Sequence, residues 1–158
     1  MTSIRGIKRA CAGGFKERII NYQQHLMQTT SGIDHVGLAV KDVSASAAFF
    51  IDVLGFKNIG GKPEYPAIFV DDGNIRITLW QIETPDSAPS PDRRKNIGLH
   101  HLALKLDSFE KLDSLYKKLL TIPSIRIEFA PEQIGDGPSM HMMMYEPGGI
   151  RLEFIARA

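Results

Sequence analysis

Two stretches of the chain are near copies of each other, and this duplication limits the available folds more than any other feature. GIDHVGLAV at residues 32–40 and GLHHLALKL at residues 98–106 align without a gap, setting Gly32 on Gly98, Leu38 on Leu104 and His35 on His101. Such a repeat predicts two copies of one supersecondary module, each offering a histidine to a shared site.

The flanking pattern extends the duplication. Residues 33–40 alternate, with Val36, Leu38 and Val40 on one face and His35, Gly37 and Ala39 on the other, which is strand periodicity. The large side chains then face a packed layer and the small ones line a cavity. Residues 43–54 carry apolar positions at helical spacing and stop at Gly55. Residues 56–59, 67–70 and 75–80 read as strands, the last two joined by the turn Asp71-Asp72-Gly73-Asn74. After a connector at 84–97 the same order returns: a strand at 99–106, a helix at 109–120, and strands at 125–129, 140–145 and 150–155. The expected fold is α+β, built from two βαβββ modules at 32–83 and 98–156 within one domain of residues 32–158.

The module ends also align. DDGNIRITLW at 71–80 lies over EPGGIRLEFI at 146–155, with Arg76 on Arg151 and Thr78 over Glu153. On the final strand Ile150, Leu152 and Phe154 face the helices, so Arg151 and Glu153 face the cavity with His35 and His101. Three ligand-type side chains converge there, and the fourth symmetric position holds threonine.

Other residues carry further readings. His141 opens the run His141-Met142-Met143-Met144-Tyr145, where the loose register allows either ordinary packing or an acid/base histidine beside the site. Arg76 and Arg151 would clamp an anionic substrate or serve as salt-bridge partners, for instance to Glu153. Trp80, on the face of Thr78 and Arg76, would supply a flat wall for a ligand. His100 is expected on the opposite strand face from His101. Gln81 falls on the opposite face from Thr78, and Asp92-Arg93-Arg94-Lys95 reads as a solvated connector.

Composition narrows the partners. With 158 residues, 43% of them hydrophobic, the chain suits one compact domain with a real core. A net charge of +1 gives no electrostatic reason to expect nucleic acid. No apolar run approaches the roughly 20 residues of a membrane span, which leaves small molecules as the partner class. Cys11 is the only cysteine, which excludes a disulfide framework and is compatible with a reducing, cytoplasmic setting. Residues 1–31 stand apart, with Arg5, Lys8, Arg9, Lys16 and Arg18 against Glu17. They lack the apolar core of a secretory signal, and the reading preferred over an organelle transit peptide is an N-terminal extension with a helix around 15–27.

The paired modules, the HVGLAV and HLALKL openings, the helix ending in VLGF and the PGGIRLEF close resemble the glyoxalase/bleomycin-resistance/extradiol-dioxygenase group, the vicinal oxygen chelate superfamily. The resemblance covers about residues 32–156. It implies a half-open barrel around a divalent metal and, by analogy, a homodimer. In glyoxalase-I-like members one histidine and one glutamate from each module hold the ion. Carried over by position, His35, His101 and Glu153 match that pattern and Thr78 departs from it. The remaining set is that of the extradiol dioxygenases.

Two imidazoles and one carboxylate occupy one face of an octahedral ion and leave positions open, as in non-haem Fe(II) oxygenases. The expected function is therefore a divalent-metal-dependent small-molecule enzyme, more oxygenase-like than glyoxalase-I-like, with Fe(II) or Mn(II) ahead of Zn(II), Ni(II) or Co(II). The alternatives are a lactoylglutathione-lyase-like isomerase, or a non-catalytic protein that sequesters a small molecule in a metal-free cleft.

Overall fold

A computed structural model describes residues 29–89 and 92–158. The helix expected at 15–27 lies outside the described residues. The repeat is carried by the compact unit Asp34–Ala158.

Module one consists of strand β1 (His35–Val40), helix α1 (Val43–Ala48) continuing as a wide π turn (Phe49–Val53), and strands β2 (Lys57–Lys62), β3 (Ala67–Asp71) and β4 (Arg76–Gln81). Module two repeats the order with β5 (Leu102–Leu106), α2 (Phe109–Leu119), β6 (Arg126–Gln133), β7 (Met140–Tyr145) and β8 (Arg151–Ala156). The strands form two open four-stranded sheets, ordered β1-β4-β3-β2 and β5-β8-β7-β6. Within each, the last three strands form an antiparallel meander, and the first joins the fourth in parallel through the helical crossover.

Local chemistry sets the element ends. Asp42 caps α1 by accepting from the Ala45 N–H at 2.8 Å, and Ser108 caps α2 by accepting from the Lys111 N–H at 3.3 Å. The expected single helix over 43–54 widens at Phe49, and both Phe49 and Phe50 are buried there, their rings edge to face at 5.5 Å. The strand expected at 56–59 runs on to Lys62 through a bulge between Asn58 and Gly60, where Gly60 adopts φ 129°. The strand expected at 125–129 likewise runs on to Gln133, past Pro131. Its position at the sheet edge accounts for this, because an edge strand tolerates a residue with no N–H to give the ladder.

The packed faces of both sheets join in a single apolar cluster. Leu38, Val40, Phe50, Ile77 and Leu79 from module one belong to the same core as Leu112, Met142, Met144, Leu152 and Phe154 from module two. The modules also touch through the turn between β7 and β8, where the Lys41 N–H donates to the Gly148 carbonyl at 3.2 Å. The faces turned away from this core carry the polar residues that alternate with it.

Candidate functional site

Glu153 stands at the middle of module two's polar face. It lies opposite Ala103 of β5 and Met143 of β7, while its neighbours Leu152 and Phe154 point into the core. His101, just before β5, brings Nε2 to 3.1 Å from Glu153 Oε2. His141 of β7 brings Nδ1 to 2.5 Å from Oε1. Each carboxylate oxygen therefore has its own imidazole. The Glu153 side chain is only 11% exposed, and withdrawing a carboxylate from water this far is costly unless it is matched. His141 is held in turn against the Phe129 ring at 5.0 Å, with Nε2 3.8 Å from Glu132 Oε1.

His100 departs from expectation. Strand β5 begins only at Leu102, so strict alternation does not reach back to it, and His100 Nδ1 lies 2.8 Å from His101 Nδ1 on the same side. Desolvation first, then the charges of Arg151, His101 and Arg93, lower the pKa of His100.

Module one presents the equivalent positions differently. The parallel register sets His35 beside Arg76, Gly37 beside Thr78 and Ala39 beside Trp80. His35 is half exposed, and its Nδ1 is 2.7 Å from Asp34 Oδ1, a contact that holds the Asp34 carboxyl below its usual range. Thr78 is buried, accepting from Trp80 Nε1 at 3.0 Å and donating to the Val36 carbonyl at 3.5 Å. Trp80 meets Tyr65 at 5.2 Å and Phe69 at 5.7 Å, with Lys62 Nζ 5.8 Å from the indole. Arg76 reaches Asp71 at 3.6 Å near the hairpin turn. Gln81 faces elsewhere, its Oε1 accepting from the Val43 N–H and its Nε2 donating to the Lys41 carbonyl.

The repeat-related Arg151 is far more enclosed than Arg76. Its side chain is 10% exposed and forks onto Glu128, with Nε 2.7 Å from Oε2 and Nη2 3.1 Å from Oε1. Its salt-bridge partner is thus Glu128 and not Glu153. The bidentate contact lowers the pKa of Glu128 and raises that of Arg151. The connector is not simply solvated either, because Arg93 crosses from it to Glu128 Oε1 at 3.1 Å and to the Tyr145 hydroxyl at 3.4 Å. Arg93, Glu128 and Tyr145 escaped the sequence reading. The available signal was Glu128 itself, a carboxylate between Ile127 and Phe129 in a strand. Arg93 and Tyr145 border a cavity of about 230 Å³ whose lining also includes Ala39, His100 and Arg151.

The donors suit a divalent ion in kind, and His101 with Glu153 suits it in spacing. Two adjacent ligands at about 2.1 Å from an ion stand about 3 Å apart when their bonds are at right angles, which is the separation of His101 Nε2 and Glu153 Oε2. The third expected donor, His35, is turned to Asp34. Among the described residues no group of three or more His, Cys, Asp or Glu side chains is arranged to hold a metal ion. Nor, among those residues, is any helix long and apolar enough to cross a membrane.

Comparison with known proteins places this architecture. The family model for the glyoxalase/bleomycin resistance protein/dioxygenase superfamily matches residues 32–154. A curated relative, mitochondrial methylmalonyl-CoA epimerase of Mus musculus, is 29% identical over 98 residues, 57% of this chain and 55% of the relative, so the match spans about half that protein's length. Among solved structures, lactoylglutathione lyase from Agrobacterium tumefaciens aligns with a TM-score of 0.62 at 20% identity, over 82% of this chain and 96% of that one. A genomically encoded fosfomycin resistance protein from Listeria monocytogenes aligns with a TM-score of 0.65 at 18% identity, over 82% and 96%. At these identities the structural likeness is one of fold.

Proposed function

The chain belongs to the glyoxalase/bleomycin resistance protein/dioxygenase superfamily, and from that footing we propose that it is a divalent-metal-dependent enzyme acting on a small molecule. The observation that carries this is the 3.1 Å approach of His101 Nε2 to Glu153 Oε2, on a face where Glu153 is nearly buried. His35, which the repeat sets equivalent to His101, is the proposed third ligand, and Fe(II) or Mn(II) the proposed ion. A cytoplasmic homodimer is part of the proposal, by analogy with related folds.

When bound, such an ion supplies Lewis-acid polarisation of substrate oxygens at its open positions. The chain supplies the surroundings. His141 fixes one oxygen of Glu153 and leaves the other to the ligand position. Trp80 offers an indole wall whose N–H is already committed to Thr78. The Thr78 hydroxyl, bonded to Trp80 and to Val36, is a poor base near neutral pH, which argues against glyoxalase-I-type catalysis through a carboxylate at that position. Oxygenase-like chemistry accords better with two histidines and one glutamate.

A second reading, proton transfer beside a CoA thioester, draws on the partial likeness to methylmalonyl-CoA epimerase. In it the His141–Glu153 pair is the candidate base. Oxygen uptake by the metal-loaded protein with a catechol panel tests the first reading, and solvent deuterium entering the α position of methylmalonyl-CoA tests the second. Metal-loaded protein inactive in both assays and toward a hemithioacetal would favour a small-molecule binding protein.

A further inference from the structure

We propose that the cavity between β1, the connector and the start of β8 is an oxyanion subsite, taking a carboxylate or phosphate of the substrate through Arg93 and Arg151. The proposal rests on the reading that the adjoining face of module two is the reaction site. Arg151 and Glu153 are two residues apart on β8, on one face, and therefore about 7 Å apart. An anion held at Arg151 would place the far end of a benzoate-sized molecule beside Glu153.

The charges around the cavity do not cancel locally. A single carboxylate, Glu128, lies between the guanidinium groups of Arg93 and Arg151. The acid in the lining itself, Asp92, already has Lys95 Nζ at 3.3 Å and accepts from the Arg94 N–H at 2.9 Å. That leaves one positive charge in excess on the cavity wall. Arg151 is also incompletely satisfied: Nε and Nη2 are spent on Glu128, the Tyr145 hydroxyl adds a weaker interaction, and Nη1 is shut off from solvent with no hydrogen-bond partner. A buried donor on a charged group is expensive to leave unpaired, and native structures rarely do so without a reason. Arg93, only 29% exposed although it lies on the connector, is held where a second cation can share the same anion.

The test is calorimetric binding to the full chain, in EDTA and again after loading with Mn(II), using benzoate, phenyl phosphate and neutral benzyl alcohol as probes. At least one anion should bind about tenfold more tightly than benzyl alcohol, and Arg93→Gln should erase about that factor without affecting the alcohol. Comparing benzoate with phenyl phosphate tells which oxyanion the subsite prefers. On the unaltered protein, NMR shift changes during titration with the tighter anion should centre on Arg93, Tyr145 and Arg151, so the test survives a variant that fails to fold. The proposal is overturned if neither anion outbinds the alcohol, if folded Arg93→Gln keeps the preference, or if the shifts map elsewhere. Because the EDTA series needs no ion, anion binding by a chain that takes up no metal would sink the metal centre and leave the subsite standing.

Discussion

His141 Nδ1 lies 2.5 Å from Glu153 Oε1, across the β7–β8 pair and on the side of the carboxylate away from His101. In the proposed metal centre His141 would be a positioning residue, holding the Glu153 carboxylate in one orientation. Removing such an outer partner typically costs 10–100-fold in metal affinity. His141→Ala should weaken Mn(II) binding by about that factor, with His141→Gln intermediate, in competition titrations against a chromophoric chelator. Unchanged affinity would deny it this role.

Trp80 is the only tryptophan in the chain, so its fluorescence reports directly on module one's ligand-equivalent position. Thr78→Val keeps the side-chain shape but leaves the indole N–H without its acceptor, at a cost of about 1–2 kcal/mol. A shifted emission maximum and greater quenching by acrylamide are expected. Emission identical to the parent would mean that Thr78 does not orient the ring.

Gly148 lets the turn between β7 and β8 press onto module one. A methyl group there would come within 2.2 Å of Ser46 Oγ and 2.8 Å of Val40 Cβ, both enclosed in the core. Gly148→Ala should destabilise the chain by about 1–3 kcal/mol, read as a lower thermal midpoint, and adding Ser46→Ala should recover part of the loss.

The Glu128–Arg151 pair predicts an acid-side loss of stability. Hydrogen bonding to Arg151 lowers the Glu128 pKa in the folded state below its unfolded value. The stabilisation is therefore complete above the ordinary carboxylate range and is lost as pH falls through the lowered value. The advantage of the parent over Glu128→Gln in urea denaturation should be full at neutral pH and shrink below roughly pH 4. A gap independent of pH would contradict this origin.

Much of this was legible in the sequence because strand alternation and internal repetition are local signals. The βαβββ order of both modules and the facing of Leu152 and Phe154 into the core could be read from alternation and repetition, whereas the pairing of His35 with Arg76 and Gly37 with Thr78 came only with the structure. What escaped depended on where alternation stops. His100 joined the side of His101 because β5 starts two residues later than it, and residues 130–133 became strand because an edge can carry Pro131. The Arg93–Glu128–Arg151 cluster joins residues distant in sequence, one of them on a connector, and no periodicity encodes such a contact. The side taken by His141 was likewise settled only by the register of β7 on β8.

The most direct test of the metal centre is elemental analysis of the purified chain, before and after reconstitution with Fe(II) or Mn(II) under reducing conditions. About one ion per chain is expected in the parent, with most of it lost in His35→Ala, His101→Ala and Glu153→Ala. Sub-stoichiometric metal that persists after reconstitution, unchanged by any of the three substitutions, would contradict it.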